Sequence, residues 1–172
     1  IDLAIEALRS LPDAATLTVV GDGDAAHLAE LRRLAGEPGL TGRVSFTRSD
    51  RDRLQQLYAV ADALVFPVRW DEPWGLVPLE AMTVGVPVIA SGRGGSAEYL
   101  RDRRNCLIFD PDAGPGALAA AVRELGSDPA LRERLREAGF ETSAALSVEA
   151  YDEAIEALLA EVAGSFDAAA NG

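Results

Sequence analysis

The chain has no lysine among its 172 residues, and only one cysteine, one histidine and one methionine. A lone Cys106 excludes an intramolecular disulfide framework and any cysteine-based metal knot. A lone His27 excludes a multi-histidine metal site. No run approaches the ~20 apolar residues that a membrane span needs. No signal peptide is visible, so the expected location is cytoplasmic. Aromatics make up 6% of the chain, and all sixteen basic residues are arginine. Against 28 acidic residues they leave a net charge of −12. Such a field repels nucleic acid and anionic lipid, and would repel an anionic small molecule unless a local positive site overrides it.

What is present is ordinary globular material: 48% apolar and 26% charged. The length fits about one domain. Ile1, Ala4, Ile5, Leu8 and Leu11 share one helical face, so a helix is under way at once and the beginning is expected to be missing. Short apolar runs then alternate with helical spacing. Strands are predicted at 16–21 (TLTVVG), 43–47 (RVSFT), 63–67 (ALVFP), 86–91 (VPVIAS) and 105–109 (NCLIF). Helices are predicted at 24–35, 52–61, 78–84, 116–126, 130–145 and 148–163. Ser127-Asp128-Pro129 reads as a cap. Strands that are wholly apolar indicate a parallel sheet covered on both faces. The class is α/β, a doubly wound Rossmann-like sheet over 1–163, with a flexible tail at 164–172. Ligands in such sheets sit beyond the carboxyl ends of the strands.

Three loops at that edge attract attention. In the first, 68–82, two acids and two tryptophans precede a glycine and a helix expected to start near Pro78. Amides around Gly75 to Leu79 make an anion site there. Glu72 and Glu80 lie eight positions apart, able to hold a ligand's hydroxyls at either end. The plain alternative is that Glu80 merely suits the first turn of a helix, worth ~0.3–1 kcal/mol, and that Trp74 is core. In the second loop, the glycines of Gly92-Arg93-Gly94-Gly95 allow close backbone approach, or simply make a tight turn. The third, Gly21-Asp22-Gly23-Asp24-Ala25-Ala26, fits the G-x-G-x-x-A dinucleotide pattern. Its aspartates would oppose a pyrophosphate, so a glycine turn with Asp22 or Asp24 capping a helix is preferred. His27 is expected to be exposed, and Cys106 to be a small buried hydrophobe.

Taken in order, Glu72-Pro-Trp-Gly-Leu-Val-Pro-Leu-Glu80-Ala-Met, Gly85-Val-Pro-Val-Ile-Ala-Ser, Gly94-Gly95 and Glu98 resemble the signature of the GT-B glycosyltransferases of the large retaining family 4, the glycosyl transferases group 1. Val20-Gly-Asp-Gly, Leu57-Tyr58, Asp62-Ala-Leu-Val-Phe-Pro and Asn105-Cys-Leu-Ile-Phe-Asp-Pro also match, so the resemblance covers nearly the whole chain. It implies the C-terminal, donor-binding half of such an enzyme, with a nucleotide-diphosphate-sugar as substrate and no metal or other cofactor. By the match, Glu72 holds the sugar's hydroxyls and is the catalytic residue. Gly75 and Leu76 offer amides to sugar and phosphate, and Glu80 binds the ribose. Thr47 and Arg48 lie near the base, and Gly21 and Gly23 belong to the donor site. Anomeric configuration is retained.

The departures are specific. Trp74 stands where phenylalanine is usual, and Cys106 replaces a common glycine. The family's opening strand, central in the 3-2-1-4-5-6 order, is expected to be missing together with its Gly-Arg…Lys-Gly cations. The acceptor-binding N-terminal domain is missing too, and any peripheral membrane contact would fall to it. Two rivals stay open: an NAD(P)-binding Rossmann domain using Gly21, Gly23 and Ala26, and a non-catalytic module binding another chain.

Overall fold

A computed structural model describes residues 1–170, with side chains for all of these except 51, 52 and 161–170. The order is α1 (Asp2–Ala7), β1 (Leu17–Val20), α2 (Ala25–Ala35), β2 (Val44–Thr47), α3 (Arg51–Ala59), β3 (Leu64–Phe66), α4 (Leu76–Thr83), β4 (Val88–Ala90), β5 (Leu107–Ile108), α5 (Pro115–Ser127), α6 (Pro129–Ala145) and α7 (Val148–Ala170). Single 3-10 turns follow α1 (Leu8–Ser10), β4 (Gly94–Glu98) and β5 (Pro111–Ala113). All five expected strands form. α7 carries the helix past Ala163, where the sequence pattern ends it, and the tail expected over 164–172 falls partly outside the described residues.

All strand pairs are parallel, but they form two sheets. β1 pairs with β2, and β3-β4-β5 form the other. One edge of β1 and one edge of β3 are therefore unpaired among the described residues. Ile1 lies beside Val19 and Val20, at the carboxyl end of β1. The two pieces correspond to the 3-2 and 4-5-6 portions of the 3-2-1-4-5-6 order.

β4 divides the core by its alternation. Ile89 packs with Leu3, Ala4 and Ala7 of α1 and with Leu118 and Leu125 of α5. Val88 and Ala90 point the other way, toward Tyr58 of α3 and Leu79 and Met82 of α4. A third cluster joins Ile5 and Leu8 to Leu31 of α2 and to Leu40. Gly139 lets α6 press onto α4, since a Cβ there would already meet Met82 at 3.2 Å. Aspartate caps start three helices: Asp24 accepts from His27 N at 3.0 Å, Asp50 from Arg53 N at 2.9 Å and Asp128 from Leu131 N at 2.9 Å.

α4 starts at Leu76, two residues earlier than expected. Val77 is helical although it precedes proline. Pro78 occupies the third helical position, where the missing N–H has no intrahelical partner to lose. Glu80 accordingly sits in the second turn, not the first. Gly75 makes the entry in the left-handed region, with φ 80°.

The loop leading to α4 rests on the glycine turn after β4. Gly95 N–H donates to the Glu72 carbonyl at 2.6 Å. A Cβ on Gly94 would fall inside the Glu72 backbone, and one on Gly95 would fall inside the Pro73 carbonyl. Gly94 also has φ 64°. The glycines are thus more than a turn, because no side chain fits between the two loops. Gly95→Ala is expected to lower stability by about 1–3 kcal/mol, the usual cost of overpacking. Urea denaturation of the full chain checks this, and an unchanged midpoint would refute it.

Candidate functional site

The site sits at the carboxyl ends of the strands, where parallel packing leaves the helix starts and loops together. Its centre is the N-terminus of α4. No side chain caps this helix, unlike α2, α3 and α6. The amides of Leu76 and Val77 lack intrahelical partners, and the Leu76 side chain is 62% exposed. This is the electropositive end of the helix dipole, open to an acceptor.

Its supports are buried. The Tyr99 hydroxyl donates to the Gly75 carbonyl, and burial pushes that phenol well above its ordinary pKa. Trp74 packs at 5.7 Å between ring centroids on Tyr99, so this tryptophan is half-buried support and not a free platform. Gly75 is buried against Phe66 and Ser96. Cys106 is fully buried, its thiol pushed up to about 12 by burial, which makes it inert packing.

Two carboxylates belong to this segment, Glu72 ahead of the helix and Glu80 in its second turn. Glu72 is half-buried and accepts from the Trp70 indole N–H at 3.0 Å. Glu80 is half-buried and accepts from the Tyr58 hydroxyl at 3.3 Å. Among the described residues neither is ion-paired with an arginine. Both retain acceptor capacity for hydroxyl donors.

The remaining predicted residues gather at a separate cavity of about 410 Å³ lined by Gly21, Gly23, Phe46, Thr47 and Arg48 among others. Gly21 N–H donates to the Thr47 carbonyl at 3.1 Å, which holds the two loops side by side. Arg48 bridges to Asp22 at 2.8 Å, and Arg32 lies over the Phe46 ring at 5.2 Å. His27 is exposed at its rim. Asp24 caps α2, as the preferred reading of the glycine loop has it. The structure thus brings Gly21, Gly23, Thr47 and Arg48 together at this cavity, while Glu72, Gly75, Leu76 and Glu80 cluster at α4. A second, polar crevice of about 310 Å³, between the Arg101–Asn105 turn and α6, contains none of them; Glu98 of the family motif lies there.

The arginines at this edge went unread in the sequence. Arg69 pairs with Asp2 at 3.0 Å, and Arg93 with Asp112 and the Arg69 carbonyl. Their partners lie 67 and 19 positions away, beyond any local pattern. Among the described residues no group of three or more His, Cys, Asp or Glu could hold a metal ion, and no helix is long and apolar enough to cross a membrane.

Comparison with known proteins bears on the family and the fold. The family model described as "Glycosyl transferases group 1" matches residues 1–142. The lipopolysaccharide core biosynthesis glycosyltransferase LpsE of Rhizobium meliloti is 35% identical over 138 residues, 80% of this chain and 39% of that protein. A GDP-mannose-dependent α-(1-6)-phosphatidylinositol monomannoside mannosyltransferase of Mycobacterium tuberculosis is 36% identical over 129 residues, 71% of this chain and 33% of its own. The crystal structure of Anabaena HepE in complex with UDP-glucose superposes with a TM-score of 0.84 at 27% identity, covering 92% of this chain and 44% of that one. The chain therefore spans less than half the length of each of these relatives. With its motifs in order, its parallel sheets in the matching topology and the family model covering most of its length, the chain belongs to the glycosyl transferases group 1, as a Rossmann-like domain of the GT-B fold.

Proposed function

We propose that this chain holds the nucleotide-diphosphate-sugar donor of a retaining glycosyltransferase. The observation that carries the reading is the uncapped start of α4 with one carboxylate ahead of it and one in its second turn, neither with an arginine partner among the described residues. A helix start accepts phosphate through its amides and dipole. A carboxylate on either side accepts from hydroxyls, Glu72 from the sugar and Glu80 from the ribose. Gly75 and Leu76 supply backbone amides to sugar and phosphate. The cavity at Thr47 and Arg48, with Gly21 and Gly23 on its wall, receives the base.

In the reaction, the bond from the anomeric carbon to the diphosphate breaks while the acceptor oxygen bonds on the same face. The acceptor's proton passes to a leaving phosphate oxygen. Glu72 keeps the sugar ring oriented as charge develops, and the α4 amides stabilise the departing diphosphate. The acceptor seat belongs to a further domain, and the unpaired edges of β1 and β3 suit one more parallel strand between them. That strand and its loop would bring the phosphate-binding Arg and Lys, so the coding region upstream of Ile1 should encode them. We place the assembled enzyme in the cytoplasm.

Calorimetric titration of the full chain with UDP-glucose, GDP-mannose and NADP tests the donor reading. Weak binding of one nucleotide-sugar is expected, because a diphosphate meets a chain of net charge −12. Heat only with NADP would favour the dinucleotide reading of Gly21, Gly23 and Ala26 instead. Glu72→Gln and Glu80→Gln should each weaken donor binding by about 5- to 30-fold, equivalent to losing one charge-assisted hydrogen bond. Turnover by this chain alone should be absent; a rate like that of a complete enzyme would refute the need for a separate acceptor domain.

A further inference from the structure

We propose that Tyr58 is a positioning residue for Glu80, orienting its carboxylate to receive a ribose diol and so setting the preference for ribose over 2′-deoxyribose. The inference rests on the donor reading above and names the device that serves its nucleoside end.

Tyr58 sits in the last turns of α3 and Glu80 in the second turn of α4, 22 positions apart. The tyrosine is 8% exposed, its ring buried with Leu79, Met82 and Val86. Its hydroxyl reaches Oε2 of Glu80 at 3.3 Å. Burial, together with the neighbouring Glu80 charge, pushes the phenol up to about 12, so it keeps its proton and stays a donor at any physiological pH. The contact therefore has one polarity: Tyr58 gives the hydrogen and Glu80 receives it.

A glutamate's terminal torsion is broad and roughly two-fold, so a lone carboxylate swings freely. A vicinal diol presents two O–H donors at fixed separation and needs a carboxylate plane of fixed orientation. Tyr58 takes one lone pair of Oε2 and leaves Oε1 and the remaining lone pair free. Because the tyrosine ring is locked by packing, the anchor costs little side-chain entropy. Loss of the 2′-hydroxyl from a ligand would leave part of this oriented carboxylate unmatched, which is how a polar site rejects an analogue lacking the group.

The test uses the full chain, with UDP, GDP and their 2′-deoxy counterparts as probes in calorimetric titration. The unmodified chain should bind the ribonucleotide more tightly, and Glu80→Gln should erase the preference. Tyr58→Phe removes one oxygen and keeps the ring. It should lower the ratio of deoxy to ribo Kd by about five- to tenfold with the thermal midpoint close to that of the unmodified chain. An unchanged ratio in Tyr58→Phe, with a clear preference in the parent that Glu80→Gln abolishes, would overturn the role of Tyr58 alone. No ribose preference in the parent, or one indifferent to Glu80→Gln, would overturn the placement of Glu80 and this proposal with it. Should Tyr58→Phe not fold, Glu80→Asp gives the same decision. It keeps the charge but draws the carboxylate back from the Tyr58 hydroxyl, so a retained preference there overturns the proposal.

Discussion

The backbone contact between the Gly94–Gly95 turn and the Glu72–Pro73 segment governs the entry to α4. Two loops from neighbouring strands, β3 and β4, lie so close that the turn after β4 has no room for a side chain where it meets the Glu72–Pro73 backbone. The amide of Gly95 reaches the Glu72 carbonyl at 2.6 Å, which fixes the height of that loop above the sheet. Glu72 and the left-handed Gly75 follow from it, and Gly75 aims the first turn of α4. The Tyr99 hydroxyl on the Gly75 carbonyl and the Trp74–Tyr99 packing hold the same segment from the core side. A flexible loop would pay ordering entropy for each ligand contact; this one is seated before any ligand arrives.

Electrostatically the edge is more balanced than basic. Arg48 is paired with Asp22, Arg69 with Asp2, and Arg93 with Asp112. All three pairs are substantially exposed, where such contacts are worth ~0–1 kcal/mol each. Their effect is to spend cations locally instead of offering them to a diphosphate. The start of α4 adds a positive end that no side chain caps, its dipole contributing about half a charge. The arginines at this edge are thus already engaged by aspartates, which is the reason weak affinity for a diphosphate is expected.

Much of this was legible in the sequence because it is local. The five strands are apolar runs bounded by glycine, proline or polar residues, and each formed within two residues of its expected bounds. The aspartate before α6 announced itself by preceding proline and a helical pattern. Motif order placed Glu72, Gly75, Leu76 and Glu80 around one helix start. The start of α4 was misjudged because the bias of a residue before proline is a preference, and packing of Pro78 and Leu79 into the core overrode it. The bonds from Trp70 to Glu72 and from Tyr58 to Glu80 escaped notice for different reasons. The first depends on a loop conformation set by Gly95. The second joins two helices whose relative placement only the tertiary core decides.

That core also explains how two unjoined sheets hold one arrangement. α1 lies across both. Leu3, Ala4 and Ala7 belong to the cluster beneath β4, while Ile5 and Leu8 belong to the cluster under α2 and β1. Leu11 and Leu17 touch both groups, and Arg123 of α5 donates to the Ser10 carbonyl at 2.7 Å. Side-chain burial thus replaces the backbone ladder that a continuous sheet would supply. Leu3 and Ile5 of α1, with Leu8 of the turn that follows, are each buried, a burial worth about 1.5–3 kcal/mol per side chain. Hydrophobic burial is non-directional, however, and fixes spacing less sharply than a hydrogen-bonded register. The loops after β1 and β2 and the loops after β3 and β4 therefore answer to different sheets. Glu72 and Glu80 both stand on the β3 side, so their spacing is set within one sheet and its helices, whereas the cavity at Thr47 and Arg48 belongs to the other sheet and is placed relative to them through α1.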